Sequence, residues 1–212
     1  MKLLSIREEP RTGRVVLTFE NGKTLKTTGA VLAESGVFAE GELSDREYGA
    51  LLAHAGLASA KERAVRTAAA SPVSERELIR RLVRKGETED DARAAADWLK
   101  ELGLLDDART ASELTASAVR KGYGRARIRA ELREKNIPEA LAAQALEELP
   151  PMDGAIDRYL RRAFGDSEPD ENAVRRAAQA LYRRGHSWAD IREGLRRFRC
   201  EPELTDDMED PE

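Results

Sequence analysis

From about Ala30 onward, apolar residues recur at spacings of three and four, the period of a helix buried along one face. The first thirty residues follow a different rule. Arg14 to Phe19 (RVVLTF) is rich in β-branched residues, and Asn21-Gly22 is a strong turn signal. Lys23 to Thr27 then alternates polar with apolar. This pattern predicts a small hairpin, with Leu3 to Arg7 as a third strand. Two or three strands cannot stand alone, so they are expected to pack on the helices. No strand signal is visible after Ala30.

The helical region repeats itself. Leu82-Val83-Arg84-Lys85-Gly86-Glu87-Thr88, Leu132-Arg133-Glu134-Lys135-Asn136-Ile137-Pro138 and Leu181-Tyr182-Arg183-Arg184-Gly185-His186-Ser187 align on a leucine followed by a helix stop, with the leucines 50 and 49 residues apart. In each segment a basic residue ends a helix, where it meets the negative end of the dipole. Gly86, Asn136 and Gly185 then stand where a left-handed residue is needed, and Thr88, Pro138 and Ser187 start the next helix. Four residues before the leucine are Leu78, Ile128 and Ala177; ten after it are Ala92, Ala142 and Ile191; fourteen after it are Ala96, Leu146 and Leu195. A further helix precedes each pair, at about 59–70, 106–121 and 152–165. A period of this size is the signature of a stacked array, and such arrays are elongated.

The expected fold is mainly α: three tandem three-helix repeats in an elongated array, with a small N-terminal β-hairpin region. The expected divisions are 1–58 (hairpin and leading helices), 59–105, 106–150 and 151–200 (repeats), and 201–212 (acidic tail). Gly103 to Asp107, Pro150-Pro151 and the loop Gly165 to Asn172 support these boundaries. The 33 alanines and the 5% aromatic content favour helix.

Charge sharpens the picture. The net charge is −4, but residues 201–212 alone carry seven acids and no Lys or Arg, which leaves the rest at +3. The basic excess sits mainly at 150–199. An acidic end beside a basic neighbour reads as a solvating tail or as a screen for a basic face. Composition also narrows the chemistry. A single cysteine, Cys200, and two distant histidines, His54 and His186, argue against disulfides, multi-cysteine metal sites and a catalytic constellation. No phosphate loop or nucleophile elbow appears. The expectation is a non-enzymatic protein without cofactor or metal. No apolar run is long enough to cross a membrane, and the N-terminus lacks a signal-peptide core, so a cytoplasmic monomer is expected.

Basic residues recur once per repeat. The densest set is Lys121, Arg125, Arg127 and Arg129 within KGYGRARIR; Arg80, Arg84 and Lys85 follow in the first repeat, and Arg183 and Arg184 in the third. Near a Gly-rich helix start such residues fit phosphate or an acidic protein face. A solvated stripe opposite Ile128 and Leu132 has the same pattern. Glu75, Glu77, Glu131 and Glu134 close by weigh against tight sequence-specific DNA binding. Asp106-Asp107 reads as a helix cap, and Trp98 and Trp188 as packing residues.

The run from Lys121 to Ile137 resembles the central repeat of the RecX family of regulatory proteins. Leu102 to Ala111 resembles that family's repeat junction, and Ser74 to Gly86 its first repeat; the resemblance covers about 60–200. Three positions depart from the family pattern: Thr110 in place of an aromatic residue, Asn136 in place of Gly and Val73 in place of Arg. The resemblance implies a curved, elongated array that binds the recombinase RecA, lodges in the helical groove of its filament on single-stranded DNA, and modulates or inhibits recombination, strand exchange and ATPase activity. It places this chain in DNA repair, homologous recombination and the SOS response. Lys121, Arg125, Arg127 and Arg129 are then the leading contact candidates, with Arg80, Arg84 and Lys85 next. The alternative is a helical module that binds single- or double-stranded DNA directly.

Overall fold

The computed structural model describes residues 1–165 and 168–198. Four strands open the chain: β1 (Lys2–Glu9), β2 (Arg14–Phe19), β3 (Thr24–Thr28) and β4 (Gly41–Glu42). They form one antiparallel sheet in the order β3-β2-β1-β4. The three strands expected from the sequence are present. The fourth, β4, is a correction to the expectation of no strand after Ala30. It has two residues, too few for alternation to register, and it is anchored by Leu43 N–H donating to the Met1 carbonyl at 2.8 Å. One face of the sheet buries Leu3, Val15, Leu17 and Phe19.

Two helices follow: α1 (Gly29–Glu34), capped by Thr28, and α2 (Asp45–Ala70). Ser44 and Glu47 form a reciprocal capping box at the start of α2. This helix is longer than the 59–70 segment that the repeat pattern marks, and the division expected at 58/59 falls inside it. Nothing between Ser44 and Ser71 breaks helical continuity. The N-terminal half gives Leu51 and Ala55 to the core beneath the sheet, and the C-terminal half gives Ala60 and Ala64 to the next core.

The remaining helices are α3 (Glu75–Arg84), α4 (Glu89–Glu101), α5 (Asp107–Arg120), α6 (Arg125–Glu134), α7 (Glu139–Glu147), α8 (Asp153–Phe164), α9 (Glu171–Arg183) and α10 (Trp188–Arg197). They pack in threes: the end of α2 with α3 and α4, α5 with α6 and α7, and α8 with α9 and α10. Each trio has its own core. All twelve register positions named above, from Leu78 to Leu195, are buried. The stop signals take the left-handed conformation, with φ of 95° at Gly86, 56° at Asn136 and 86° at Gly185. Asn136 is the one non-glycine residue at positive φ among the described residues, and asparagine is the side chain that tolerates this best after glycine. Thr88 and Ser187 cap the following helices through Asp91 and Asp190 N–H, whereas Pro138 precedes α7 without a side-chain cap.

The other two departures from the family pattern are also buried. Val73 is 4% exposed within the core of the first trio, so an apolar side chain suits it there, and Thr110 is 6% exposed. The chain divides into two compact units, Met1–Leu105 and one that begins at Asp106. The first holds the sheet and one trio; the second holds the other two.

Candidate functional site

The densest basic segment sits on the turn from α5 to α6, and the structure brings it against the turn from α9 to α10. Lys121 ends α5, and Arg125 is the first residue of α6. The two turns meet backbone to backbone. Gly124 N–H donates to the Arg184 carbonyl at 2.8 Å, and Ala126 N–H donates to the Gly185 carbonyl at 3.1 Å. The end of α9 therefore caps the start of α6, so carbonyls at the negative end of one helix meet N–H groups at the positive end of another. The approach leaves no room for a side chain. A Cβ on Gly124 would lie 2.2 Å from the Gly185 carbonyl oxygen, and a Cβ on Gly185 would lie 2.3 Å from Arg127 N.

This joint changes the reading of the two glycines. They do stop one helix and start the next, but Gly124 is also the contact surface for the third trio. The helix start is not an open phosphate cradle, because two of its N–H groups serve Arg184 and Gly185.

Side chains reinforce the joint. Arg184 Nη1 donates to the Lys121 carbonyl at 3.1 Å, and its guanidinium lies 5.2 Å from the Tyr159 ring. His186, 3% exposed, donates from Nε2 to the Gly122 carbonyl at 3.1 Å. That bond fixes the neutral tautomer and leaves Nδ1 buried without a hydrogen-bond partner among the described residues. Burial pushes the His186 imidazole below its ordinary value, and the bond to Gly122 and the Asp190 carboxylate offset this only in part. Arg184 and His186 are thus structural parts of the joint. Arg183, beside them, is exposed.

The remaining cations divide by partner. Arg127 faces Glu131 at 3.6 Å and lies over Tyr123, which Lys121 also approaches. Arg125 and Arg129 are exposed and have no ion-pair partner among the described residues. They stand one turn apart on the rim of a cleft of about 850 Å³, whose other lining includes Leu149, Pro150, Met152 and Tyr182. Tyr182 stacks on Trp188 at 4.8 Å, and Trp188 is buried in its trio's core. The two carboxylates of the cleft are already engaged. Asp190 accepts from Ser187 Oγ at 2.7 Å, and Asp153 lies 3.8 Å from Arg197.

The first unit carries a separate cavity of about 750 Å³, lined by Arg63, Arg66, Glu77, Arg81, Arg84 and Lys85 among others, in which Arg63 pairs with Glu87 at 2.7 Å and Arg66 with Glu62 at 3.6 Å. Arg84 and Lys85 are exposed there. Arg80 is committed differently: it and Arg81 both pair with Glu77, whose carboxylate is nearly buried. Burial raises the Glu77 carboxyl, but the hydrogen bond from Arg81 and the charges of Arg80 and Arg81 outweigh it and hold the group below its ordinary range. Sequence reasoning missed Arg63 and Arg66. They lie at i and i+3 on α2 and join the end of α3 only through the fold, although that spacing on one face was visible.

Asp106 caps α5, accepting from Ala108 and Arg109 N–H at 2.9 and 3.0 Å. Trp98 is half-buried against the first trio's core, with Lys61 over its ring. Cys200 and the 201–212 segment lie outside the described residues. Among the described residues no helix is long and apolar enough to cross a membrane.

Residues 106–146 match the family model described as RecX, second three-helix domain. "Regulatory protein RecX" of Stenotrophomonas maltophilia (strain R551-3) is 36% identical over 126 residues, covering 58% of this chain and 77% of that protein. The protein of the same name from Escherichia coli (strain K12) is 36% identical over 149 residues, covering 65% of this chain and 90% of that protein. The chain belongs to the RecX family. A crystal structure of regulatory protein RecX superposes with a TM-score of 0.66 at 20% identity, covering 92% of this chain and 98% of that one. RecX from Lactobacillus salivarius gives 0.56 at 18% identity, covering 68% and 97%. At these identities the two structures speak for the RecX fold. The role carried by the family name is regulatory.

Proposed function

We propose that this RecX family member binds the RecA filament on single-stranded DNA, lodges in its helical groove, and modulates recombination, strand exchange and ATPase activity. The observation that carries the reading is the Arg125–Arg129 rim in a chain of this family: two exposed guanidiniums with no ion-pair partner among the described residues, held on one helix beside a partly apolar cleft. Arginine presents a planar fork that suits carboxylate and phosphate alike. The cavity at Arg84 and Lys85 offers a second cationic surface. Moderate contacts at more than one surface give avidity on a partner whose protomers repeat. The activity requires no catalytic group, only occupation of a surface the filament needs.

The test is RecA-driven strand exchange with purified protein. The double variant Arg125→Glu, Arg129→Glu is expected to raise the concentration for half-inhibition at least tenfold while helicity stays unchanged. Unaltered inhibition overturns the site assignment, and no effect of the unsubstituted protein at concentrations near that of RecA overturns the function. The exposed Arg84 and Lys85 at the first unit's cavity favour direct DNA binding as a second reading. Co-sedimentation with filaments compared with naked single-stranded DNA separates the two. Direct binding predicts capture by DNA alone, weakening steeply with salt as counterions are released.

A further inference from the structure

The cleft between α6 and the α9–α10 turn combines two features that rarely coincide on a solvated surface. Arg125 and Arg129 supply two cations one helical turn apart. Leu149, Pro150, Met152 and Tyr182 supply an apolar floor, with Tyr182 itself 39% exposed. The cleft's own carboxylates, Asp153 and Asp190, form no ion pair with the two arginines: Asp190 accepts from Ser187 Oγ, and Asp153 lies 3.8 Å from Arg197. The matching ligand is an extended chain that alternates carboxylates with medium-sized apolar side chains.

The same polypeptide carries such a segment. Glu201-Pro202-Glu203-Leu204-Thr205-Asp206-Asp207-Met208-Glu209-Asp210 has six acids, no basic residue, and Leu204 and Met208 between them. It follows α10, whose first turn, at Ser187 and Asp190, borders the cleft. The ten-residue helix carries the chain about 15 Å away from that border. A return over the nine residues that follow Phe198, as far as Asp207, spans up to about 30 Å when extended, ample to come back along α10. We infer that the acidic segment 201–210 docks into this cleft, its carboxylates on Arg125 and Arg129 and Leu204 or Met208 on the apolar floor.

Docking makes the segment a competitor for the rim that engages the partner; this consequence rests on the function proposed above, while the docking itself does not. A segment that fills the cleft nine-tenths of the time raises the partner's apparent Kd about tenfold. Salt releases it, because the contacts are ionic and near the surface.

The experiment uses the full chain with Cys200→Ser and Thr205→Cys, a nitroxide on the new thiol, and ¹⁵N amide spectra compared before and after reduction of the label. Amides of Arg125 to Arg129, Tyr182 and Ser187 are expected to lose at least half their intensity. The effect should vanish with Arg125→Glu, Arg129→Glu, with the tail variant Asp206→Asn, Asp207→Asn, Glu209→Gln, and at about 0.5 M salt. Unchanged intensities overturn the inference, as does broadening confined to another basic surface. Broadening that appears equally when labelled ¹⁴N protein is mixed with unlabelled ¹⁵N protein assigns the cleft to a second copy, and also overturns it. The two readings fail separately. If strand exchange responds to Arg125 and Arg129 but no broadening occurs, the docking falls and the function stands; broadening with unaltered strand exchange gives the reverse.

Discussion

A methyl group has different consequences at Gly122, Gly124 and Gly185. At Gly122 the space is open, apart from Arg184 Nη1 at 3.9 Å, and the cost is that of a left-handed φ of 72°. At Gly124 a Cβ meets backbone at 2.2 Å. At Gly185 both penalties apply. The expected loss of stability is about 1 kcal/mol for Gly122→Ala, about 2 to 3 kcal/mol for Gly124→Ala, and larger again for Gly185→Ala, with urea midpoints giving the order. Equal losses at the three positions would remove the close approach as the cause. The sequence shows each glycine as turn punctuation, because punctuation is local. It does not show that two turns 63 residues apart touch, as in the bond from Arg184 to Lys121. Ion pairs divide the same way. Arg81 with Glu77 and Arg127 with Glu131 are one-turn pairs that the spacing displays, whereas the lack of an ion-pair partner among the described residues at Arg125 and Arg129 depends on what the fold brings near them.

At the scale of elements, the repeat register was the most legible feature, because burial at spacings of four leaves a period that survives changes of residue identity. Strand β4 and the continuity of α2 across the 58/59 division were not legible. Two residues carry no period, and the repeat pattern marks this helix only from residue 59 on. Helix α3 also holds a switchable contact. Glu77 is nearly buried between Arg80 and Arg81, and its carboxyl is held below the ordinary 4.5. A carboxyl depressed in the folded state adds stability that is fully present above the unfolded value and is lost as pH falls through the folded one. Urea midpoints measured from pH 6 down to pH 3 should therefore fall less steeply for Glu77→Gln than for the unsubstituted protein. At pH 7 the variant should be the less stable of the two. Parallel curves would show that Glu77 takes no part in the acid response.

At the scale of the whole molecule, the net charge conceals a division between a mildly basic body and a strongly acidic segment. Membership of the RecX family was readable from KGYGRARIRAELREKNI, which lies within the stretch 106–146 that the second three-helix domain of the family matches. The joint between the second and third trios was hidden in the same run, because a glycine that makes a contact looks like one that makes a turn.

Helix α2 carries a consequence for how the protein comes apart. Its 26 residues, about 39 Å of continuous backbone, belong to two cores at once. Unravelling that begins under the sheet can travel along this one rod into the first trio without crossing a loop. Leu51→Ala is expected to cost 2 to 5 kcal/mol, as roughly found for buried leucines, and to lower amide hydrogen-exchange protection at Ala60 to Thr67 as well as in β1 and β2. Loss confined to the strands would mean that the rod frays midway. If protection falls at both ends, the N-terminal sheet is a mechanical partner of the first trio, and a fragment cut at residue 58 would sever a single cooperative folding unit.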